Sequence, residues 1–285
     1  MIIISIHIFP QELTEYKRLM LSLNVASSYV KDIAQFKILT TLNINESLTK
    51  LGNDSSNIVK SFRKINEESQ FGCDELITSE KNFLGVNEHR NQTIDYSTTT
   101  DSIIFLDSDI HFNSKILAHH ENANYVLSNK HDHYIITPNV VRLWDSTWDC
   151  IVHESFKNKS HNFYKSVNCD LIEKHKFGKV QLVPNNTFKW GGGWFNCINA
   201  NLLKKIKIPN TFKGYGPDDT FIMECCKIMK ANKYDVQQYI LKNMVVCESP
   251  APVKTHPLLR SDIPNFRDES NKHFHNEVNK FSKKL

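Results

Sequence analysis

The segment Ser102-Ile103-Ile104-Phe105-Leu106-Asp107-Ser108-Asp109 constrains this chain more than any other. A short apolar run rich in Ile and Phe stops at two carboxylates one residue apart. Such a run reads as a buried strand of a parallel sheet. In open α/β sheets, ligands are met beyond the carboxyl ends of the strands. Side chains alternate along extended chain, so Asp107 and Asp109 can face the same way. Two such carboxylates repel unless a cation or donor lies between them. Hard oxygen ligands suit Mg²⁺ or Mn²⁺ carrying a phosphate-bearing substrate. An Asp-x-Asp triplet also commonly caps a turn, so the rest of the chain has to decide.

The 285 residues, 40% of them hydrophobic, suffice for one large α/β domain or two small ones. A net charge of +4, from 35 basic and 31 acidic residues, gives no general basic field, so nucleic acid is not an obvious partner. Seven scattered cysteines lack Cys-x-x-Cys spacing, which argues against a zinc or redox motif and for reduced thiols in a cytoplasmic protein. The apolar start Met1-Ile2-Ile3-Ile4 is too short for a signal peptide or a membrane span. The lysines near Lys283-Lys284-Leu285 read as a solvated helical face, with at most peripheral contact with an inner-membrane surface.

In order, Ile2 to Phe9 reads as a strand ended by Pro10, and Glu12 to about Val30 as an amphipathic helix through Leu13, Tyr16, Met20 and Leu23. Phe36 to Leu42 reads as a second strand, 49–66 as partly helical, and Asp74 to Ile77 as a short strand. A Gly-containing turn, Asn82-Phe83-Leu84-Gly85, then leads into a helix bearing Arg90 and Asn91. Arg suits a phosphate or a base. The alternative is a surface helix whose Arg90 pairs with Glu88 or Asp95. After the strand ending at Asp107, His111 to Asn124 reads as loop and helix, and Tyr134 to Thr137 as a strand. Trp144 to Asp149 pairs two Trp with carboxylates, suited either to stacking on a sugar or to inward packing. Residues 158–186 are polar and give no assignment beyond a loop over the site.

Nine glycines occur in the chain, and five of them fall between Gly191 and Gly216. Trp190-Gly191-Gly192-Gly193-Trp194 reads as a permissive turn before a strand at Phe195 to Ile198 and a helix at Ala200 to Lys205. Gly214-Tyr215-Gly216-Pro217-Asp218-Asp219 precedes a helix through Ile222, Cys225, Cys226 and Met229. Acids in a first helical turn are favoured by the dipole and often do no more than cap it. Val245 and Val246 read as a last strand, with His256 beyond it and His273 and His275 in the helical tail.

Together these pieces resemble the GT-A fold glycosyltransferases, chiefly the family 2 group. There, an amino-terminal strand and helix precede an Asn-x-Gly turn, Ala-Arg-Asn on a helix, and an apolar strand ending in Asp-x-Asp. The matching residues are Asn82, Gly85, Arg90, Asn91, Asp107 and Asp109, with one extra residue between Asn82 and Gly85 and His89 in place of Ala. The later block is similar to that of galactosyltransferases and chondroitin-type polymerases, where Gly-Gly and a strand precede Gly-Trp-Gly-x-Glu-Asp. Here Gly192-Gly193 precedes Gly214-Tyr215-Gly216-Pro217-Asp218-Asp219, with Tyr for Trp and Asp for Glu.

The resemblance implies one Rossmann-like GT-A domain over 1–260, a mostly parallel sheet flanked by helices. Residues 1–112 would bind the sugar nucleotide, 113–260 the acceptor, and 261–285 would form a basic helical tail. It implies a hexosyltransferase using a nucleotide-sugar donor, probed first as a UDP-sugar, on a hydroxyl of a glycan or other acceptor. His7, Phe9, Arg90, Asp107, Ser108 and Asp109 would meet the donor, with Trp190, Gly192, Gly193 and Trp194 at the donor–acceptor junction. Asp109, Asp107 and His256 would hold Mn²⁺ or Mg²⁺, with His273 and His275 competing for the third place. Asp219 would be the general base and Asp218 would bind acceptor hydroxyls. Asp219, where retaining relatives usually have Asn, favours inversion. A nucleotidyltransferase is disfavoured, because His7-Ile8-Phe9-Pro10-Gln11-Glu12 holds no Gly and no Lys. A non-catalytic sugar-binding module and a retaining transferase stay open as alternatives.

Overall fold

The computed structural model describes residues 1–45, 54–78, 84–142, 148–159, 169–189, 194–214, 216–249 and 265–285. β1 (Ile2–Ile8) leads through a 3-10 turn (Pro10–Glu12) into α1 (Leu13–Ser27) and β2 (Phe36–Leu42). α2 (Ser55–Glu67), β3 (Gly72–Ile77), α3 (Val86–Tyr96) and β4 (Ser102–Leu106) complete a parallel half-sheet ordered β3-β2-β1-β4. β5 (Ile110–Phe112) follows within three residues of β4, and then come α4 (Ile116–Ser128) and β6 (His133–Val140). α5 (Cys169–Lys174), β7 (Gln181–Asn185), β8 (Trp194–Asn199), α6 (Ala200–Ile206), α7 (Asp218–Ala231), β9 (Val236–Glu248) and α8 (Phe266–Lys284) finish the described chain.

The single sheet continues from β4 through β8, β6 and β9 to β5, with β7 pairing an earlier stretch of β9 than β5 does. It is mixed, where a mostly parallel sheet is expected from sequence. β1–β2, β1–β4, β2–β3 and β6–β9 are parallel. β4–β8, β6–β8, β5–β9 and β7–β9 are antiparallel. Each parallel neighbour needs a crossover connection. β8 instead enters between β4 and β6 running against both, which ends the parallel run at β4. β7 carries Pro184 within its ladder, as an edge strand can.

Period-two alternation in the central strands builds two cores. Ile2, Ile4, Ile6, Ile8, Ile104 and Leu106 face one cluster with Tyr16, Leu19 and Leu23 of α1. Ile3, Ile103 and Phe105 face the other, with Leu202, Phe221, Met229 and Phe281. Both faces of β1 and β4 are covered, which is why their sequences are nearly continuous apolar runs. The carboxy-terminal helix is amphipathic. Phe274, Val278 and Phe281 of α8, with Leu285 just beyond it, join the second core, and Ser270 is fully buried. Among the described residues, no helix is long and apolar enough to cross a membrane.

Candidate active site

The end of β4 turns sharply at Asp107–Asp109 before β5. Ser108 is buried, while Asp107 and Asp109 are each partly buried. The Ser108 hydroxyl donates to Glu12 Oε1 at 2.9 Å, and Phe9 N–H donates to Glu12 Oε2 at 2.7 Å. Ser249 N–H donates to the Asp109 carbonyl at 2.7 Å, so the end of β9 also touches this turn. Burial first, then the negative charges of Asp107 and Glu12, push the Asp109 carboxyl up to about 7. Burial pushes Glu12 up to about 7 as well, against the two hydrogen bonds it accepts. Three crowded carboxyl groups thus lie where the parallel strands end.

Arg90 ties this strand end to the Gly-x-Gly segment. From the second turn of α3 its guanidinium Nη1 donates to Asp218 at the start of α7, and Nη2 lies 3.4 Å from Asp107 Oδ1. The guanidinium carbon sits 4.9 Å from the Phe105 ring centroid. The Arg90 and Asp218 side chains are only 8% and 6% exposed, so the pair is a buried one. Burial opposes the charge of Arg90, but Asp218 and Asp107 outweigh it, and its pKa is raised. The sequence alternatives of Glu88 or Asp95 as partners are not what is found. Asp219, next to Asp218, is partly buried and accepts the Thr220 N–H at 2.6 Å. Burial and the adjacent Asp218 charge push Asp219 up to about 6. A carboxyl in that range is matched to general-base work near neutral pH. Arg90, Phe105, Asn196, Asp218 and Asp219 line one small cavity.

The Gly214–Asp218 loop is held from two sides. Val86 N–H donates to the Gly214 carbonyl at 2.7 Å, and Glu88 accepts from Gly214 N–H at 3.1 Å. Asn87 Nδ2 donates to the Phe212 carbonyl at 3.0 Å. The backbones approach so closely that a Cβ on Gly85 would lie 2.1 Å from Gly214 Cα. Gly214 also has φ of +70°, the left-handed region that favours glycine. From the other side, a Cβ on Gly216 would meet Ser270 Cβ at 2.7 Å. Ser270 Oγ donates to the Lys213 carbonyl at 3.3 Å. The two glycine motifs therefore form one packed joint, closed by α8.

The ends of β1 and β2 are ordered by buried polar contacts. His89 uses both ring nitrogens, toward Ser5 Oγ at 2.9 Å and Thr41 Oγ1 at 2.8 Å. Burial, helped by His7 and Arg90, keeps its pKa well below the usual histidine value. His7 Nε2 lies 2.8 Å from the Leu84 carbonyl, which also accepts from Asn43 Nδ2 at 2.7 Å. The Phe9 ring packs edge-on against His7, with centroids 5.0 Å apart. Asn91, by contrast, serves packing: its Nδ2 donates to the Ile208 carbonyl at 2.9 Å.

No protein-family model matches this sequence, and no curated protein matches it. Solved structures do. The crystal structure of S. aureus TarS 1-349 is 14% identical, covers 99% of this chain and 73% of its own, and has a TM-score of 0.49. The crystal structure of GalNAc-T7 with UDP, GalNAc and Mn²⁺ is 8% identical, with a TM-score of 0.50. It covers 99% of this chain, which spans 50% of the GalNAc-T7 chain. The fold is that of the GT-A glycosyltransferases. In this chain the Asp-x-Asp turn, Arg90 and Asp218–Asp219 form one contiguous array beyond the strand ends.

Whether that array suits a divalent cation can be tested on its donors. Among the described residues, no group of three or more His, Cys, Asp or Glu is arranged to hold a metal ion. Asp107 and Asp109 offer two hard oxygen donors crowded by like charge, which fits a cation completed by substrate phosphates. His256 lies outside the described residues, as do Asn82, Trp190, Gly192, Gly193 and Tyr215. His273 and His275 are exposed on α8. Sequence reasoning passed over Glu12, Glu15 and Arg18. Their signal was present: three charges at three-residue spacing, on one helix edge, directly after the first strand.

Proposed function

We propose that this protein is a metal-dependent, inverting hexosyltransferase that moves a sugar from a nucleotide-sugar, tested first as a UDP-sugar, to a hydroxyl of a glycan or other acceptor. The observation that carries the reading is Arg90, one buried guanidinium joining the Asp-x-Asp turn to the Asp218–Asp219 pair. The order of motifs supports a family 2-like donor half over 1–112. The Gly-x-Gly-Pro-Asp-Asp block supports a galactosyltransferase-like or chondroitin-polymerase-like acceptor half over 113–260. GalNAc-T7, of the same fold, holds UDP and Mn²⁺ in its crystal.

In this reading His7, Phe9, Arg90 and Asp107 face the donor nucleotide, and Asp109 with Asp107 would hold Mn²⁺ or Mg²⁺, His256 being the candidate third ligand. When bound, the cation supplies Lewis-acid neutralisation of the departing diphosphate. Asp219 takes the proton from the acceptor hydroxyl as its oxygen bonds to the anomeric carbon on the face opposite the leaving group. Asp218 we assign to holding Arg90 rather than to acceptor hydroxyls, because its carboxylate is buried and already engaged. The test is nucleoside diphosphate release from a panel of sugar nucleotides with Mn²⁺, with Mg²⁺ and with chelator. Metal-dependent release from one donor is expected. Absence of both release and metal-dependent binding for every donor overturns the reading.

A further inference from the structure

We propose that Glu12 is a positioning residue for the Asp107–Ser108–Asp109 turn, acting with Arg18 to fix the geometry in which the two aspartates meet a cation and a nucleotide. The inference rests on the reading of that turn as the donor site. Glu12 closes the 3-10 turn after β1, and its carboxylate bridges two loops. Oε2 accepts from Phe9 N–H at 2.7 Å, and Oε1 accepts from the Ser108 hydroxyl at 2.9 Å. Six residues on, Arg18 Nη2 donates to the Ser108 carbonyl at 3.1 Å and the Ile110 carbonyl at 2.9 Å. Its Nε donates to Glu15 Oε2 at 2.8 Å. The middle residue of the acidic triplet is thus held by its side chain from the 3-10 turn and by its carbonyl from α1.

Capping alone does not account for Glu12. The Phe9 N–H bond is the back-bond that a Glu or Gln three residues on commonly makes at a helix start, and a neutral Gln would serve it. A third carboxylate beside Asp107 and Asp109 adds repulsion that a neutral cap would avoid. The bond to Ser108 is what only a longer side chain reaching across to the next loop supplies. Groups that orient ligating residues typically change metal affinity by about 10- to 100-fold when removed.

The test uses the full chain, with Mn²⁺ and UDP as probes, by titration calorimetry on wild type, Glu12→Ala, Ser108→Ala, the double variant and Glu12→Gln. Each alanine variant is expected to weaken Mn²⁺-dependent UDP binding by about tenfold. The double variant is expected to fall no further than the weaker single, because one bond is being removed twice. Glu12→Gln, which can serve both partners through its oxygen and amide, is expected to bind within about threefold of wild type. Wild-type affinity in Ser108→Ala, or additive losses in the double variant, overturns the inference while leaving the donor site intact. A wild type that binds no UDP with Mn²⁺ overturns the donor site itself, and the inference with it. If thermal melts show Glu12→Ala unfolded, Ser108→Ala decides, since it removes one hydroxyl.

Discussion

The two acidic pairs of this site are chemically alike and differently compensated. Asp107 and Asp109 end a strand, are partly buried, and crowd a third carboxyl group from Glu12. Asp218 and Asp219 begin a helix, where backbone N–H groups favour negative charge. Arg90 meets Asp107 at 3.4 Å but grips Asp218 in a tighter, buried bond. The first pair thus stays crowded by like charge, which in the proposed reading a cation would relieve. In the second, one acid is committed to Arg90 and burial pushes the other up to about 6. Residue type alone would assign both pairs the same task, and the surroundings separate them.

The largest expected effect comes from removing the cation that joins the pairs. Arg90→Ala leaves Asp218 buried without its partner and is expected to cost about 3–5 kcal/mol in chemical denaturation. A loss below about 1 kcal/mol would mean that the pair is no more than a surface contact. Next comes the joint beneath the second pair. Gly216→Ala places a Cβ 2.7 Å from Ser270 Cβ. Such crowding is expected to cost about 1–3 kcal/mol, with faster proteolysis of α8.

The pairs also differ in titration. With Asp219 at about 6, its base form grows as pH rises. Turnover is expected to climb about tenfold between pH 5 and pH 7, and Asp219→Asn to abolish that limb. A flat profile in the wild type would remove Asp219 as base. The smallest effect lies away from both pairs. His120 is buried against Phe195, neither ring nitrogen has a partner among the described residues, and burial lowers its pKa to about 3. The unfolded chain takes up this proton near pH 6.5 and the folded one near 3, so stability falls as pH drops through that window. His120→Phe is expected to raise stability by about 1 kcal/mol at pH 7 and to flatten the acid limb, read by thermal melts.

The elements legible in the sequence were those whose pattern is set by the core. β1, β2 and β4 are short apolar runs buried on both faces, and α1 and α7 carry clear helical periodicity. β7 and most of β9 were missed because their ladder positions hold Gln181, Pro184, Gln237 and Lys242, which read as loop. β5 has three residues and no pattern of its own. At the site, the acids and Arg90 could be named from sequence, but the Arg90–Asp218 pairing spans 128 positions and only the folded chain brings it together. Ser270 was hidden for the same reason. It reads as a polar residue in a charged tail, yet it seals the Gly216 turn. Glu12 and Arg18 were legible in spacing, but their meaning depends on Ser108 facing them.

The most direct test crosses the two pairs. Mn²⁺-dependent UDP binding and donor turnover would be measured in Asp109→Asn and in Asp219→Asn. The account predicts that Asp109→Asn loses the metal-dependent part of binding. It predicts that Asp219→Asn binds UDP as the wild type does while turnover falls by about 10²- to 10⁴-fold. Equal behaviour of the two variants, or loss of UDP binding in Asp219→Asn alone, would contradict the division of labour between the pairs.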